Sequence, residues 1–331
     1  MPLTKLQFRP GVNRETTSYT NEGGWFNSDK VRFRFGLAEK IGGWQKNGDN
    51  SFLGIARSLH TWVNLSGTKL TGVGTSLKLY INQGGEFYDV TPLRSTTAAG
   101  DVTFSATNGS SVITVTDTNH GAAQNDFVTF SGAASLGGNI TANVLNQEYQ
   151  ITEVVNVDSY KISARAASTT IKSITVDGQI SASAVTANSS DTGNGGSSVV
   201  GKYQINTGLT NVVTGTGWGA GTWGGGTWGT ASPLTVVNTL RIWTQDNFGE
   251  DLLSCVRDGG IFFWDTSADA LGTDRVTALA SLAGADAETP TIAKQVLVSD
   301  RDRHVIVFGC DGETSIGTQD PLLIRFSSQE S

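Results

Sequence analysis

Apolar and polar residues alternate along this chain in short runs, and glycine breaks the runs. Val31, Phe33 and Phe35 alternate with Arg32 and Arg34, which predicts a strand with one apolar and one basic face. Residues 52–93 continue as short strands over 53–59, 70–75 and 78–90. The last of these reads Lys-Leu-Tyr-Ile-Asn-Gln-Gly-Gly-Glu-Phe-Tyr-Asp-Val, two apolar strands around a Gly-Gly turn. Residues 252–265 repeat the device, and residues 304–313 restart it. No long helical period occurs. A hairpin reused along one chain predicts a radial or stacked β architecture.

The pattern shifts near Ser95. Residues 96–200 contain no Trp and are rich in Thr, Ser, Ala and Val. Four strands are expected there, over 111–116, 125–132, 149–155 and 159–163, as a small β-barrel or sandwich. Residues 181–200 read as a flexible connector. Residues 215–230 place Trp218, Trp223 and Trp228 five apart among glycines. Such spacing suits neither a flat strand nor a helix, so a long ordered loop is expected, its rings buried against protein. Strand phrases return over 239–243, 246–253, 294–298, 305–308 and 321–327. Between them, 267–289 reads as a loop with one short helical turn at most. The last strand has no return partner, so either another chain covers it or the sequence is a piece of a longer protein.

The expected division is therefore an N-terminal arm and basic strand (1–48), a first part of a β scaffold (49–95), an inserted β-barrel module with its connector (96–200), and a second part of the scaffold with the Gly/Trp loop (201–331). Composition agrees with an all-β class: charged residues are 16%, and Gly is 41 of 331 against 6 Pro. The net charge of −7 argues against general nucleic-acid binding. It is uneven, because residues 1–46 hold eight Lys/Arg against four Asp/Glu and the remainder 15 against 26. A basic head on an acidic body reads as a docking segment or as a solvated strand face. Cys255 and Cys310 lie in apolar strand patterns and read as buried free thiols. The N-terminus lacks the apolar core of a signal peptide, and no run approaches the roughly 18 apolar residues of a membrane span. The protein is expected to be made and folded in a cytoplasm.

Signals for catalysis are weak. His60, His120 and His304 have no zinc-ligand spacing, and His120 reads as a satisfied turn histidine. There is no nucleophile elbow, P-loop or dinucleotide fingerprint. Glu250 and Asp251 could supply a glycosidase acid, but nothing supplies its partner. Asp300-Arg301-Asp302-Arg303 reads as a charged turn rather than a calcium loop. Lys30, Arg32 and Arg34 could meet phosphates, though pairing with an acidic patch on a neighbouring subunit suits the acidic body better.

The segments Arg9-Pro10-Gly11-Val12-Asn13-Arg14, Asn21-Glu22-Gly23-Gly24-Trp25, Lys30-Val31-Arg32-Phe33-Arg34 and Glu39-Lys40-Ile41-Gly42-Gly43-Trp44 resemble the opening of hub or nozzle proteins from the tails of short-tailed double-stranded DNA bacteriophages. Residues 246–253 and 259–265 are similar to the blade phrase of the same proteins, and the Gly/Trp loop to their Gly/Tyr-rich loop. Residues 111–163 resemble a small β-barrel module inserted in many phage tail proteins, similar to the first catalytic-cysteine half-domain of ubiquitin-activating enzymes but without chemistry of its own.

The resemblance implies a non-enzymatic virion tail component with propeller-like blades and no cofactor or metal. It implies a hexameric ring of copies of the chain that also contacts tail, adaptor or fibre proteins. DNA could pass through such a ring without sequence-specific recognition, and no membrane partner is implied. The expected interface residues are Arg9, Arg14, Trp25, Lys30, Arg32, Arg34, Trp44, Trp218, Trp223 and Trp228. The alternative reading is a host-recognition or glycan-binding tail protein, because aromatic faces stack on sugars. The family is usually longer than this chain.

Overall fold

The computed structural model of the protein describes residues 8–43, 50–167, 183–208, 240–299 and 301–328. Contacts divide the chain into two compact units, Met1–Asp49 and Asn50–Ser331. In the first, β1 (Val31–Arg34) and β2 (Leu37–Lys40) form an antiparallel hairpin, with Arg32 opposite Glu39. The alternation of Val31 and Phe33 with the arginines holds only to Arg34. Phe35 was expected on the apolar face. It sits instead in the turn with Gly36, at φ of 50° and 78°, and is 90% exposed. A two-residue hairpin turn needs left-handed backbone at both central positions, and the glycine that permits it follows Phe35 directly.

The second unit carries the expected all-β architecture. Its first sheet is a meander of β3 (Ala56–Val63), β4 (Lys69–Thr75), β5 (Leu79–Gln83) and β6 (Glu86–Asp89). The β5–β6 turn is the Gly84-Gly85 pair, at φ of 63° and 93°.

The chain then builds a seven-stranded antiparallel sheet from β7 (Leu93–Thr96), β8 (Thr103–Ala106), β9 (Val112–Thr116), β10 (Phe127–Ser131), β11 (Glu148–Asn156), β12 (Ser159–Ser163) and β13 (Val200–Gln204). Their order is β7-β13-β10-β11-β12-β9-β8, with one short helix, α1 (Ala142–Leu145), between β10 and β11. The sheet coils around its own core, which includes Phe104, Ile113, Val128, Phe130, Tyr149 and Ile162. Across that core the hydroxyls of Tyr160 on β12 and Tyr203 on β13 meet at 2.8 Å.

A small barrel or sandwich was expected here. The edges β7 and β8 do not pair, so no barrel closes. Irregular chain occupies the gap: Phe104 N donates to Asn194 O, and Ala134 N to Gly195 O. The expected flexible connector is likewise packed over residues 183–199. Ala187, Asp191 and Val199 are buried. Asp191 accepts backbone N–H bonds from Gly138, Asn139, Ile140 and Asn188, and these hold its carboxyl below the usual range although burial pushes it up.

The scaffold resumes with β14 (Trp243–Phe248), β15 (Asp251–Val256), β16 (Ile261–Trp264) and β17 (Thr277–Ala278), a second four-stranded meander followed by a single 3₁₀ turn. A third sheet pairs β18 (Gln295–Val298), β19 (Val305–Phe308) and β22 (Ile324–Phe326). Between β19 and β22 the chain makes a separate hairpin, β20 (Asp311–Gly312) with β21 (Ser315–Gln319). The third hairpin phrase therefore does not close on itself as the first two do. Asp311 is buried and accepts bonds from Thr291 N, Thr291 Oγ1 and Gly317 N, which pull the chain out of the ladder.

The three scaffold sheets stack face to face. Side chains of β15 alternate: Leu252 and Val256 join Trp62, Leu70, Leu79, Ile81, Trp243 and Trp264 against the first sheet, while Leu253 and Cys255 join Val296, Val298, Val305 and Val307 against the third. A strand with both faces apolar is one covered on both sides. The first strands of the meanders lie side by side, β14 against β3 and against β18. Close approach is possible because β4 carries glycines toward β14. A Cβ on Gly74 would come 2.6 Å from Trp243 Cβ, and one on Gly72 would overlap Gln245 Oε1.

Candidate functional site

Six of the ten expected interface residues lie in the described part of the N-terminal unit. Trp44, Trp218, Trp223 and Trp228 lie outside the described residues. Local backbone bonds order the six: Arg9 N donates to Gly23 O at 2.7 Å, and Asn13 N to Trp25 O at 2.9 Å. Trp25 meets Phe8 and Phe33, with ring centroids 5.8 and 6.0 Å away. Arg14 Nε donates to Phe26 O at 3.2 Å and lies 5.8 Å over that ring. Lys30 takes a left-handed φ of 56° and its carbonyl accepts Ile41 N, closing the hairpin. Arg34 lies 5.2 Å over Phe35. Arg32 pairs with Glu39 at 3.1 Å, both half exposed. One cation of the basic stripe is thus neutralised locally, in a pair worth little to stability.

No described residue of 8–43 is buried. Tyr19, Phe35, Leu37 and Phe26 are 90%, 90%, 72% and 63% exposed. The segment has a defined backbone and no core of its own, and it presents aromatic and basic groups together. Such a surface can bind protein through apolar anchors and steer toward an acidic one.

A second concentration of charge was not legible beforehand. Lys78, in the β4–β5 connection, is 1% exposed. Its Nζ lies 2.6 Å from Asp89 Oδ2 and 2.6 Å from Glu148 Oε1, and 4.4 Å over the ring of Phe127. Arg275 reaches Asp89 Oδ1 at 2.6 Å, and Thr91 Oγ1 donates to the same oxygen. Gln204 Nε2 donates to Glu148 Oε1 at 2.6 Å. Two cations and two carboxylates balance. They come from the first sheet (Lys78, Asp89), the seven-stranded sheet (Glu148) and the chain after β16 (Arg275). Burial pushes the Asp89 carboxyl up, but Lys78 and Arg275 outweigh this and hold it well below the usual range. The cluster is a joint between sheets.

The groups singled out for chemistry are engaged in the fold. His120 Nδ1 accepts Ala122 N at 3.0 Å and its Nε2 contacts Asn156 O at 3.0 Å. His60 Nε2 contacts Asn247 Oδ1. Glu250 accepts Leu65 N through its side chain and Trp62 Nε1 through its carbonyl, and Asp251 accepts Thr266 N. Arg303 closes the charged turn through its N–H to Ser299 O, at a left-handed φ of 49°; Asp300 lies outside the described residues. Cys255 and Cys310 are free and buried, and burial pushes the Cys255 thiol up to about 12. Among the described residues no cluster of His, Cys, Asp or Glu could hold a metal, and no helix is long and apolar enough to cross a membrane.

No family model matches this chain, and no curated protein matches it. Among solved structures, the phage phi92 endosialidase aligns with 82% of this chain at 13% identity and a TM-score of 0.21. The chain spans 37% of that structure's length, and a TM-score so low carries no argument about shared fold or function.

Proposed function

We propose that this protein is a non-enzymatic structural component of a bacteriophage tail, of the hub or nozzle type. It assembles with copies of itself into a ring and contacts other tail, adaptor or fibre proteins. The observation that carries this reading is the N-terminal segment. Residues 8–43, which hold most of the motifs resembling phage tail proteins, form a defined hairpin with no buried residue and with exposed aromatic and basic side chains. A segment of that kind gains its stability from a partner. Three stacked antiparallel sheets whose first strands adjoin support a propeller-like scaffold. The engagement of His60, His120, Glu250 and Asp251 in fold contacts supports a scaffold over an enzyme.

The test is the particle. Quantitative mass spectrometry of purified virions should find the protein in a fixed copy number, and cryo-electron microscopy should place it in the tail. Absence from virions, or cleavage of host surface polysaccharide by the purified protein, would overturn the reading. Trp223→Ala separates the alternative of host recognition: particles that assemble normally but no longer adsorb would favour glycan binding.

A further inference from the structure

The charge cluster around Lys78 sets an amine against a carboxyl group in a buried site. Lys78 directly precedes β5, and Asp89 closes β6. The register pairs Tyr80 with Asp89, so Lys78 is the diagonal neighbour of Asp89 on one face of the hairpin. The backbone of Lys78 is pinned: its N–H donates to Thr75 Oγ1 at 2.8 Å, and its carbonyl accepts Thr75 N at 2.8 Å. Its side chain is 2% exposed, against 20% for Asp89 and 12% for Glu148. The stem therefore delivers Nζ to two carboxylate oxygens at once, with the ring of Phe127 beside it.

The two oxygens of Asp89 have different surroundings. Oδ1 accepts Thr91 N at 3.0 Å and Thr91 Oγ1 at 2.6 Å, and it pairs with Arg275 Nη1 at 2.6 Å. Oδ2 faces Lys78 Nζ at 2.6 Å. One oxygen is thus set among donors that stabilise negative charge on it, and the other lies against the amine. Glu148 Oε1 also touches the amine, where it can take a proton from it. Gln204 Nε2 bridges the two carboxylates, donating to Glu148 Oε1 at 2.6 Å and to Asp89 Oδ2 at 3.3 Å.

We propose that Lys78 and Asp89 join through an isopeptide bond, formed by the folded chain itself with Glu148 as the proton carrier. Lys78 Nζ passes a proton to Glu148 and attacks Asp89 Cγ, while Oδ1 carries the developing negative charge beside Arg275 and Thr91. Arg275 keeps the resting carboxylate charged, so the proton that Glu148 delivers to Oδ2 is what makes that oxygen a leaving group. A second amine proton follows it, the Cγ–Oδ2 bond breaks and water departs. One ammonium and one carboxylate become one amide and one water, so atoms and charge balance with no other reactant consumed. Fixed contact replaces a bimolecular encounter, and burial keeps out the water that would reverse the step. The charged cluster is the state before reaction, and the pH response of Asp89 belongs to that state. The product closes the β5–β6 hairpin covalently at its joint with the seven-stranded sheet. The proposal does not rest on the tail reading.

Intact-mass spectrometry of the purified wild-type protein tests it directly. The folded protein should be lighter than its sequence by one water, about 18 Da. Trypsin should fail to cut after Lys78 and should release one peptide spanning 70–94 that lacks one water. Its fragment ions should place the link between positions 78 and 89. Protein recovered from inclusion bodies and kept in denaturant should hold its full mass and be cut after Lys78, because the bond needs the folded site. Glu148→Gln, checked for folding by circular dichroism, should form the bond slower by about a hundredfold or more. Full mass in the folded wild type overturns the proposal, and so does a water missing from any other position. Equal rates in the wild type and a folded Glu148→Gln variant would overturn it as well. If that variant does not fold, the wild-type mass and its peptide decide the matter alone.

Discussion

Lys78 shows what a single residue can be asked to do in this fold. It is buried in the β4–β5 connection and joined to carboxylates 11 and 70 positions away. Removing one partner of a buried charge cluster leaves the others uncompensated, so Lys78→Met should cost about 3–5 kcal/mol, read from chemical denaturation at pH 7. Asp89 adds a pH dependence. Its folded pKa lies below the ordinary carboxylate value of about 3.9. Its stabilisation is therefore fully present above that unfolded value and is lost as pH falls through the folded one. Asp89→Asn should lower stability at pH 7 and flatten the acidic limb of the stability curve below about pH 4. An unchanged acidic limb would assign that loss to other carboxylates. Gly74 tests close approach in the same spirit: Gly74→Val should push β4 off Trp243 and cost about 1–3 kcal/mol in the same assay. Both thiols should ignore Ellman's reagent in the native protein and react once it is denatured, because each is buried and held protonated.

At the scale of elements, the seven-stranded sheet has a core of its own, yet it is not a free appendage. Phe127 on β10 packs with Val73 and Tyr80 of the first sheet, and Glu148 on β11 completes the charge cluster. Excising residues 97–199 with a short linker should leave the stacked sheets folded, with a cooperative melt. The remnant should be less stable by roughly 3–5 kcal/mol, because Lys78 loses Glu148 and the first sheet loses its cover by Phe127. Loss of any cooperative transition would mean that the insert and the scaffold share one core. The strands themselves were legible from alternation and from the Gly84-Gly85 turn; in the second hairpin the left-handed residue is Asp258, ahead of Gly259 and Gly260. What alternation did not reveal was the detour of β20 and β21, because a buried Asp311 drawing backbone N–H groups from 291 and 317 leaves no local signature.

For the whole molecule, the open question is what covers the surfaces left bare. Amide exchange across residues 8–43 should be fast in the isolated, monomeric protein and slow in the assembled particle. Residues with no burial within their own unit gain protection where another surface covers them. Equal protection in both states would show that the hairpin is stable unaided.

The sequence by itself determined the all-β class, most strand positions, the Gly84-Gly85 turn and the free buried cysteines. These depend on periods of two and on glycine at left-handed positions, and both are local. The basic, aromatic character of the N-terminal segment was legible for the same reason. Tertiary structure decided the rest. It turned residues 183–199 from an apparent connector into packed chain, placed Phe35 in a turn instead of on a strand face, and used the glycines of β4 to admit Trp243. It also brought Lys78, Asp89, Glu148 and Arg275 together from three separate parts of the chain. A charged residue reads as solvated until the fold supplies its partner. That partner is set by which sheets meet, and neighbouring residues carry no record of it.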